Sequence, residues 1–400
     1  MSSPNRSLAP GLPSSSSVEW RVPLSALECS EEEVRAISRV VRSGWWTKGP
    51  VTRRMEQEFA DFLGVDHVVA VSNGTAALHL AFLALGLAPG EEVLTPSLNF
   101  VAAANMILHT GGVPRFVDVA SPETPLVCTS SLERALGPRT RGICVMHYAG
   151  YPCEMDAIME FARKHGLWVV EDAAHAPGAC WKGIPCGTWG DVGCFSLFGN
   201  KNLTCGEGGL LVTRRADLAA KVRSLHSHGM DSLTWDRFRG HQFSYDVAEP
   251  GFNYRMDDLR ASLARVQLHS LERANHLRAE RAQWYRELLG GDPRWSLPFA
   301  GHEGLSACHL FVLVLAEDTP RSRLMSLLKD RGIQTSIHYP PVHKFKFYRN
   351  LLPAQTGLEV TEDLGRRLVS LPLYPGLSHS QVRLVTESLR DAIDLVQAET

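Results

Sequence analysis

The chain has 400 residues, 44% hydrophobic and 21% charged, with a formal net charge of −2. A chain this long buries a large core without staples, and a near-neutral balance excludes a broad basic surface for nucleic acid or anionic membrane. Nine cysteines with no C-x-x-C pair exclude a zinc ribbon and a disulfide scaffold, and read as reduced thiols.

The first residues, "MSSPNRSLAPGLPSSSS", carry no apolar h-region and read as a disordered tail over 1–19. No apolar run reaches the roughly 18 residues of a membrane helix, so a cytoplasmic protein is expected. "SEEEVRAISRVVRSG" reads as a helix with Ser30 as N-cap, acids in its first turn and Gly44 as its stop. "VTRRMEQEFADFLG" is a second helix, ending at Gly64. "HVVAV" is a buried strand, "SNG" a turn, and "TAALHLAFLALGL" a buried helix beginning at Thr75.

The alternation continues. "EEVLTPS", "VPRFVDV", "RGICVMHYAG", "LWVVEDAAH", "DVGCFSLF" and "GGLLVTR" read as strands. "NFVAAANMILHTG", "SLERALGPRT" and "MDAIMEFARKHG" read as the helices between them. Strands alternating with helices of about 10–15 residues mean an α/β fold with a mainly parallel sheet. Functional loops then belong at the carboxyl ends of the strands. From about residue 257 a long helical pattern takes over. It is followed by "HLFVLVL" as strand, "RSRLMSLLKDRG" as helix, "IQTSIHYPP" as strand into loop, and a closing helix at "SQVRLVTESLRDAIDLVQ". This divides the chain into a large domain over 20–265 and a smaller α+β domain over 266–400.

Three strand ends carry chemistry. In "VAVSNGTAALHL" a helix starts directly after a small-residue turn, and its free N–H groups and dipole suit a phosphate. A plain βα turn with Thr75 as cap explains it equally simply. In "LWVVEDAAHAPGA" two carboxylates, Glu171 and Asp172, end an apolar strand, with His175 three residues on. A carboxylate there can hold a protonated ring nitrogen, or merely cap a loop. In "FSLFGNKNLTCGEGG" a single lysine, Lys201, follows a strand end, with Ser196 five residues earlier. A partly desolvated lysine loses proton affinity and becomes a nucleophile; a loop lysine does nothing. Taken together, a phosphate cup, a ring-nitrogen carboxylate and an aldehyde-binding lysine are the three anchors of pyridoxal 5′-phosphate (PLP).

On these motifs the chain resembles the DegT/DnrJ/EryC1/StrS sugar aminotransferases, which are fold type I PLP enzymes. Matching segments are "SGWWTKGP", "VSNGTAALHLA", "VVEDAAHAPGA", "CFSLFGNKNLTCGEGGLLVT", "GFNYRMDDLRASL", "GIQTSIHYPPVH" and "SLPLYPGL". The resemblance runs over roughly residues 20–395. It implies that 20–265 is the large PLP-binding domain, that Lys201 holds the cofactor covalently and moves the proton, and that Asp172 binds the ring nitrogen. It implies that Gly74, Thr75 and Ser196 bind the phosphate, that Phe100 stacks on the ring and that His175 lies near the ring hydroxyl. Asn253 would reach the phosphate from a neighbouring subunit, so a homodimer or a dimer of dimers is expected, with shared sites.

The implied reaction moves an amino group from an amino acid, L-glutamate, to a keto group of a nucleoside-diphosphate-linked deoxy sugar. Pyridoxamine phosphate is the intermediate cofactor form. His175 stands where many members have Gln, in a subset associated with amination at C4, which ranks C4 ahead of C3. Phe198 stands where a polar residue is common, and Lys48 where Thr is commoner. Lys48 is therefore a candidate for the substrate, along with His228, His338 and His343. A cyclitol ketone as acceptor and a non-catalytic regulator on the same scaffold stay open. A dehydratase is disfavoured, because family dehydratases replace the lysine by His. No metal site is expected.

Overall fold

The structure is a computed structural model that describes residues 19–230 and 246–399. The N-terminal tail expected over 1–19 lies outside the described residues except for Glu19. Helix α1 (Glu31–Ser43) starts in a capping box: Glu32 N–H donates to Ser30 Oγ, and Ser30 N–H donates to Glu33. Gly44, at φ 72°, ends it. Helix α2 (Pro50–Leu63) opens with proline at its first position and closes on Gly64.

The alternating core follows. Its elements are β1 (His67–Val71), α3 (Gly74–Ala84), β2 (Glu92–Pro96), α4 (Ala102–His109), β3 (Val113–Val117), α5 (Thr129–Ala135), β4 (Thr140–Met146), α6 (Met155–His165) and β5 (Trp168–Asp172). A small hairpin, β6 (Cys180–Trp181) and β7 (Ile184–Pro185), precedes β8 (Val192–Ser196), β9 (Gly209–Thr213) and α7 (Ala216–Leu225). The main sheet has the order β1-β9-β8-β5-β4-β2-β3. Every pair from β8 to β3 is parallel, and β9 runs antiparallel to both neighbours.

These strands read as unbroken apolar runs because both faces are covered. In β1, Val68 and Ala70 join the cluster that includes Met55 and Phe59 of α2, while Val69 and Val71 join the cluster around α3. Helix α3 is apolar all round because it lies inside the molecule.

The 32-residue helix α8 (Asp258–Leu289) joins two cores. Ala261, Ala264, Leu268 and Leu271 pack into the α2 cluster. Ala282, Tyr285 and Leu289 pack into a second core, beside a small antiparallel sheet. That sheet has the order β10 (Trp295–Ser296), β11 (Phe311–Leu315), β12 (Leu368–Leu371). Helices α9 (Arg321–Asp330), α10 (Lys346–Leu351), α11 (Glu359–Arg367) and α12 (His379–Glu399) complete the chain.

Two expectations change here. "IQTSIHYPP" forms single bridges, Val22 to Ile333 and Ser336 to Ser370, rather than a strand. The place beside β11 is taken by β12, whose residues pair with Phe311 through Val314. Val22, expected in the large domain, is buried in the second core.

Candidate active site

A cleft of about 700 Å³ opens at the carboxyl ends of β5 and β8. Its wall includes Gly74, Thr75, Phe100, Asp172, His175, Ser196, Lys201 and His338, eight of the residues singled out from sequence.

The phosphate-suited end is built by close approach. Asn73 caps α3, taking the Ala76 N–H at 2.8 Å. The N–H groups of Gly74 and Thr75, in the first turn, have no carbonyl of their own helix to meet. A Cβ on Gly74 would lie 2.9 Å from Ser196 Cβ, so only glycine lets the helix start come this near the end of β8. Gly209 serves the same junction from below. A Cβ there would lie 2.4 Å from the Asn73 carbonyl carbon. Gly209, the last residue of the "GEGG" run, therefore packs against the start of α3, while the run also makes the turn after the lysine.

Glu171 and Asp172 are neighbours on β5 and point to opposite faces. Glu171 is wholly buried away from the cleft. It accepts from His147 Nε2 at 2.9 Å and from the N–H groups of Gly187, Trp189 and Gly190 at 2.7–2.8 Å. Asp172 is 4% exposed, lines the cleft, and accepts one backbone N–H, from Ala174 at 3.2 Å. Burial raises its carboxyl above the usual range, offset in part by the Ala174 N–H and the Lys201 charge.

Lys201 sits in a loop pinned from both sides. Its N–H closes a turn onto Phe198 O at 2.9 Å, and Leu197 bonds Gly208 and Cys205. Asn202 is buried: its Nδ2 donates to Asn275 Oδ1 at 2.8 Å and to Ala307 O at 2.6 Å, and its Oδ1 accepts from His309 Nδ1 at 2.9 Å. Burial lowers the Lys201 ammonium to about 8, with Asp172 opposing the shift. The same burial, aided by the Lys201 charge, holds His175 well below its ordinary value and His338 at about 4. Both imidazoles are neutral at pH 7.

Four candidates lie elsewhere. Lys48 is 7% exposed and faces inward, with its Nζ 2.8 Å from Glu56 Oε1 and 3.1 Å from His226 Nε2. His343 is buried between Ser97 Oγ at 2.7 Å and Glu362 Oε1 at 3.1 Å. His228 is exposed at φ 64°, outside the cleft wall. Asn253 is exposed, bridges Ser227 through its backbone, and does not line its own chain's cleft.

Sequence reasoning passed over Tyr254, Glu207 and Tyr339, which all line the cleft. Tyr339 Oη lies 2.9 Å from His175 Nε2, and its ring meets Phe100 at 5.9 Å between centroids. The aromatic residue beside His338 was the available signal. Among the described residues, no arginine lines the cleft and no three His, Cys, Asp or Glu side chains form a metal-binding group. No described helix is long and apolar enough to cross a membrane.

A mostly parallel sheet carrying a lysine, a buried carboxylate and a helix start in one cleft is the architecture of PLP-dependent aminotransferases. Residues 28–390 match the DegT/DnrJ/EryC1/StrS aminotransferase family, and the chain belongs to it. It is 39% identical to the spore coat polysaccharide biosynthesis protein SpsC of Bacillus subtilis strain 168, across 93% of this chain and 97% of that protein. DesV from S. venezuelae, solved in complex with a ketimine intermediate, is 36% identical, covers 93% of this chain and 98% of its own, and superposes with a TM-score of 0.85. The putative sugar aminotransferase Spr1654 of Streptococcus pneumoniae, in its PMP form, is 26% identical, with a TM-score of 0.88 over 94% of this chain and all of its own. Its PLP form is similar to the chain as well.

Proposed function

We propose that this chain is a PLP-dependent aminotransferase that moves an amino group from L-glutamate to a keto group of a nucleoside-diphosphate-linked deoxy sugar, at C4 ahead of C3. The observation that carries the reading is the meeting of Lys201, Asp172 and the start of α3 in one cleft. The residues fit the cofactor on three counts. The approach of Gly74 to Ser196 forms a cradle that a side chain would fill. Asp172 is buried with a single backbone partner. His175 Nδ1 and Asn200 Oδ1 are buried polar atoms without partners among the described residues, and both residues line the cleft.

Gly74, Thr75 and Ser196 would hold the phosphate, Asp172 the ring nitrogen, and Lys201 the aldehyde carbon. Asn253 would reach the phosphate of a second copy in a homodimer. When bound, the cofactor supplies an electron sink beside the carbon that gains or loses the amine. The chain's own residues do the rest. Asp172 keeps a positive charge where little water competes for it. Lys201, lowered to about 8, can hold or release a proton at Nζ near neutral pH. Phe100 is 54% exposed at the cleft mouth, placed to cover a flat ring and keep water off it. In this reading the chain divides near residue 265, within α8, and His338 and Tyr339 bring the C-terminal part to the cleft.

The test is a panel of keto sugars linked to nucleoside diphosphates, with a keto cyclitol beside them. L-Glutamate is the donor and the amino product is read by mass spectrometry. Amination of a nucleotide-linked 4-keto sugar supports the reading. Turnover of the cyclitol alone, or of none of them, overturns it.

A further inference from the structure

One face of α8 reaches the lysine loop from beneath. Asn275 and Arg278 stand three residues apart on that helix, so they share a face, and they are only 9% and 4% exposed. Asn275 Oδ1 accepts from Asn202 Nδ2 at 2.8 Å, and Arg278 Nη1 donates to His309 O at 3.3 Å and to Leu373 O at 2.9 Å. Asn202 donates a second time, to Ala307 O at 2.6 Å, and its Oδ1 lies 2.9 Å from His309 Nδ1.

These bonds have one assignment. A main-chain carbonyl only accepts, so Ala307 O fixes the nitrogen of Asn202. Pro177 O, 2.8 Å from Asn275 Nδ2, fixes the nitrogen of Asn275 in the same way. Asn275 then turns its oxygen to Asn202, Asn202 turns its oxygen to His309, and His309 Nδ1 carries the hydrogen. Both amide hydrogens of Asn202 and its oxygen are used, in a residue 6% exposed. Deleting that amide takes a partner from three buried groups at once. All three lie 73 or more positions away in the chain, so the anchor comes from the tertiary fold. Consecutive Cα atoms are about 3.8 Å apart, so holding Asn202 holds the root of the Lys201 side chain.

We propose that Asn202 is a positioning residue: through its amide, α8 and the segment before β11 fix the loop that presents Lys201 to the cleft and keep water from its amine. This rests on the reading of Lys201 as the working lysine. Asp172, His175, His309 and His338 act on Lys201 electrostatically, and Glu207, Tyr254 and Tyr339 share its cleft wall. Asn202 is uncharged, so replacing it leaves all of these charges in place, and a change at the lysine then reports its exposure.

The experiment takes the full chain without cofactor, acylates it with acetic anhydride across pH, and reads the Lys201 peptide by mass spectrometry. The wild-type midpoint should lie near 8. Asn202→Ala should raise it by about one pH unit, as water reaches the amine. Asn275→Ala should raise it less, and should add nothing in the Asn202→Ala background, because it acts through the same amide. Leu389→Ala, a cavity in the second core, should cost stability and leave the midpoint alone. With PLP bound, Asn202→Ala should lower kcat about 10–100-fold and leave KM for L-glutamate within about twofold, as misplacement of a reacting group does. A wild-type midpoint at the ordinary 10.5 overturns the proposal, as does an unmoved midpoint in Asn202→Ala or an equal shift in Leu389→Ala. If Asn202→Ala does not fold, an unmoved midpoint in Asn275→Ala overturns it alone. Absence of aminotransfer by the wild type sinks the functional reading instead, and the lysine profile without cofactor still decides this one.

Discussion

Two lysines lie in this molecule under opposite arrangements, Lys48 buried and Lys201 half-buried against the cleft. Lys48 touches a carboxylate: Glu56 Oε1 is 2.8 Å away, and Arg223 and the Ala70 N–H bind the same acid. Lys201 has no ion pair among the described residues and only the more distant field of Asp172. The first is a closed cluster that ties the loop before α2 to β1 and α7. The second is an open one, whose ammonium burial has weakened and whose surroundings are a cleft. A buried charge that has spent its interactions holds structure, and one that has not is available for chemistry.

The largest effect expected is at Lys201. Lys201→Ala should lower glutamate-dependent amination by ~10⁴-fold or more, as loss of a central group in a coupled site does. The amino product assayed by mass spectrometry would measure it. More than a tenth of wild-type turnover would remove Lys201 from the mechanism. Lys48→Met should do the reverse, sparing the cleft but leaving buried Glu56 with only Arg223 and the Ala70 N–H as partners, at about 1–3 kcal/mol of stability in urea unfolding. Replacing both partners by Met and Leu should recover most of that loss. A normal midpoint for the single variant would mean the cluster is not holding the fold.

Asp172→Asn keeps the shape and removes the charge. Turnover should fall by about 10²–10³-fold, as when one preorganised electrostatic group is lost. Gly209→Ala forces a methyl against the Asn73 backbone, an overpacking of about 1–3 kcal/mol. If the start of α3 holds the phosphate, much of this should appear as weaker PLP binding, read by fluorescence titration. Unchanged affinity would detach the helix start from the cofactor.

The smallest effect concerns pH. Lys201 binds its proton less tightly folded, at about 8, than the ordinary 10.5 of the unfolded chain. Between these values the unfolded state holds more protons, so stability rises with pH across that window. Below about pH 8 the cost of keeping the charge in the cleft is fully present. Without cofactor, Lys201→Met should therefore be more stable than wild type at pH 7, with the gain shrinking from about pH 8 towards 10.5. A gain independent of pH would mean the site does not depress the lysine.

Much of this was legible in the chain. The βαβ alternation showed in hydrophobic period and helix stops, which are local. Asp172 at a strand end, a helix starting after "SNG", and Lys201 after β8 all fall where parallel sheets place their loops. The strand over "IQTSIHYPP" was misread because β-branched residues near a turn look alike whether or not a partner strand is free, and β12 holds that position. Lys48 looked like a substrate residue because nothing in "SGWWTKGP" shows Glu56 one helix later turning back to meet it.

By itself, then, the sequence determined the layering of helices and strands and the residues at the ends of β1, β5 and β8, because period, capping and strand direction are written in near neighbours. Only the tertiary structure decided how Glu171 is satisfied away from the cleft, which of Lys48 and Lys201 is left without a carboxylate, and that Tyr339 meets His175. Those outcomes depend on which surfaces pack together across more than a hundred residues, and no local pattern carries that information.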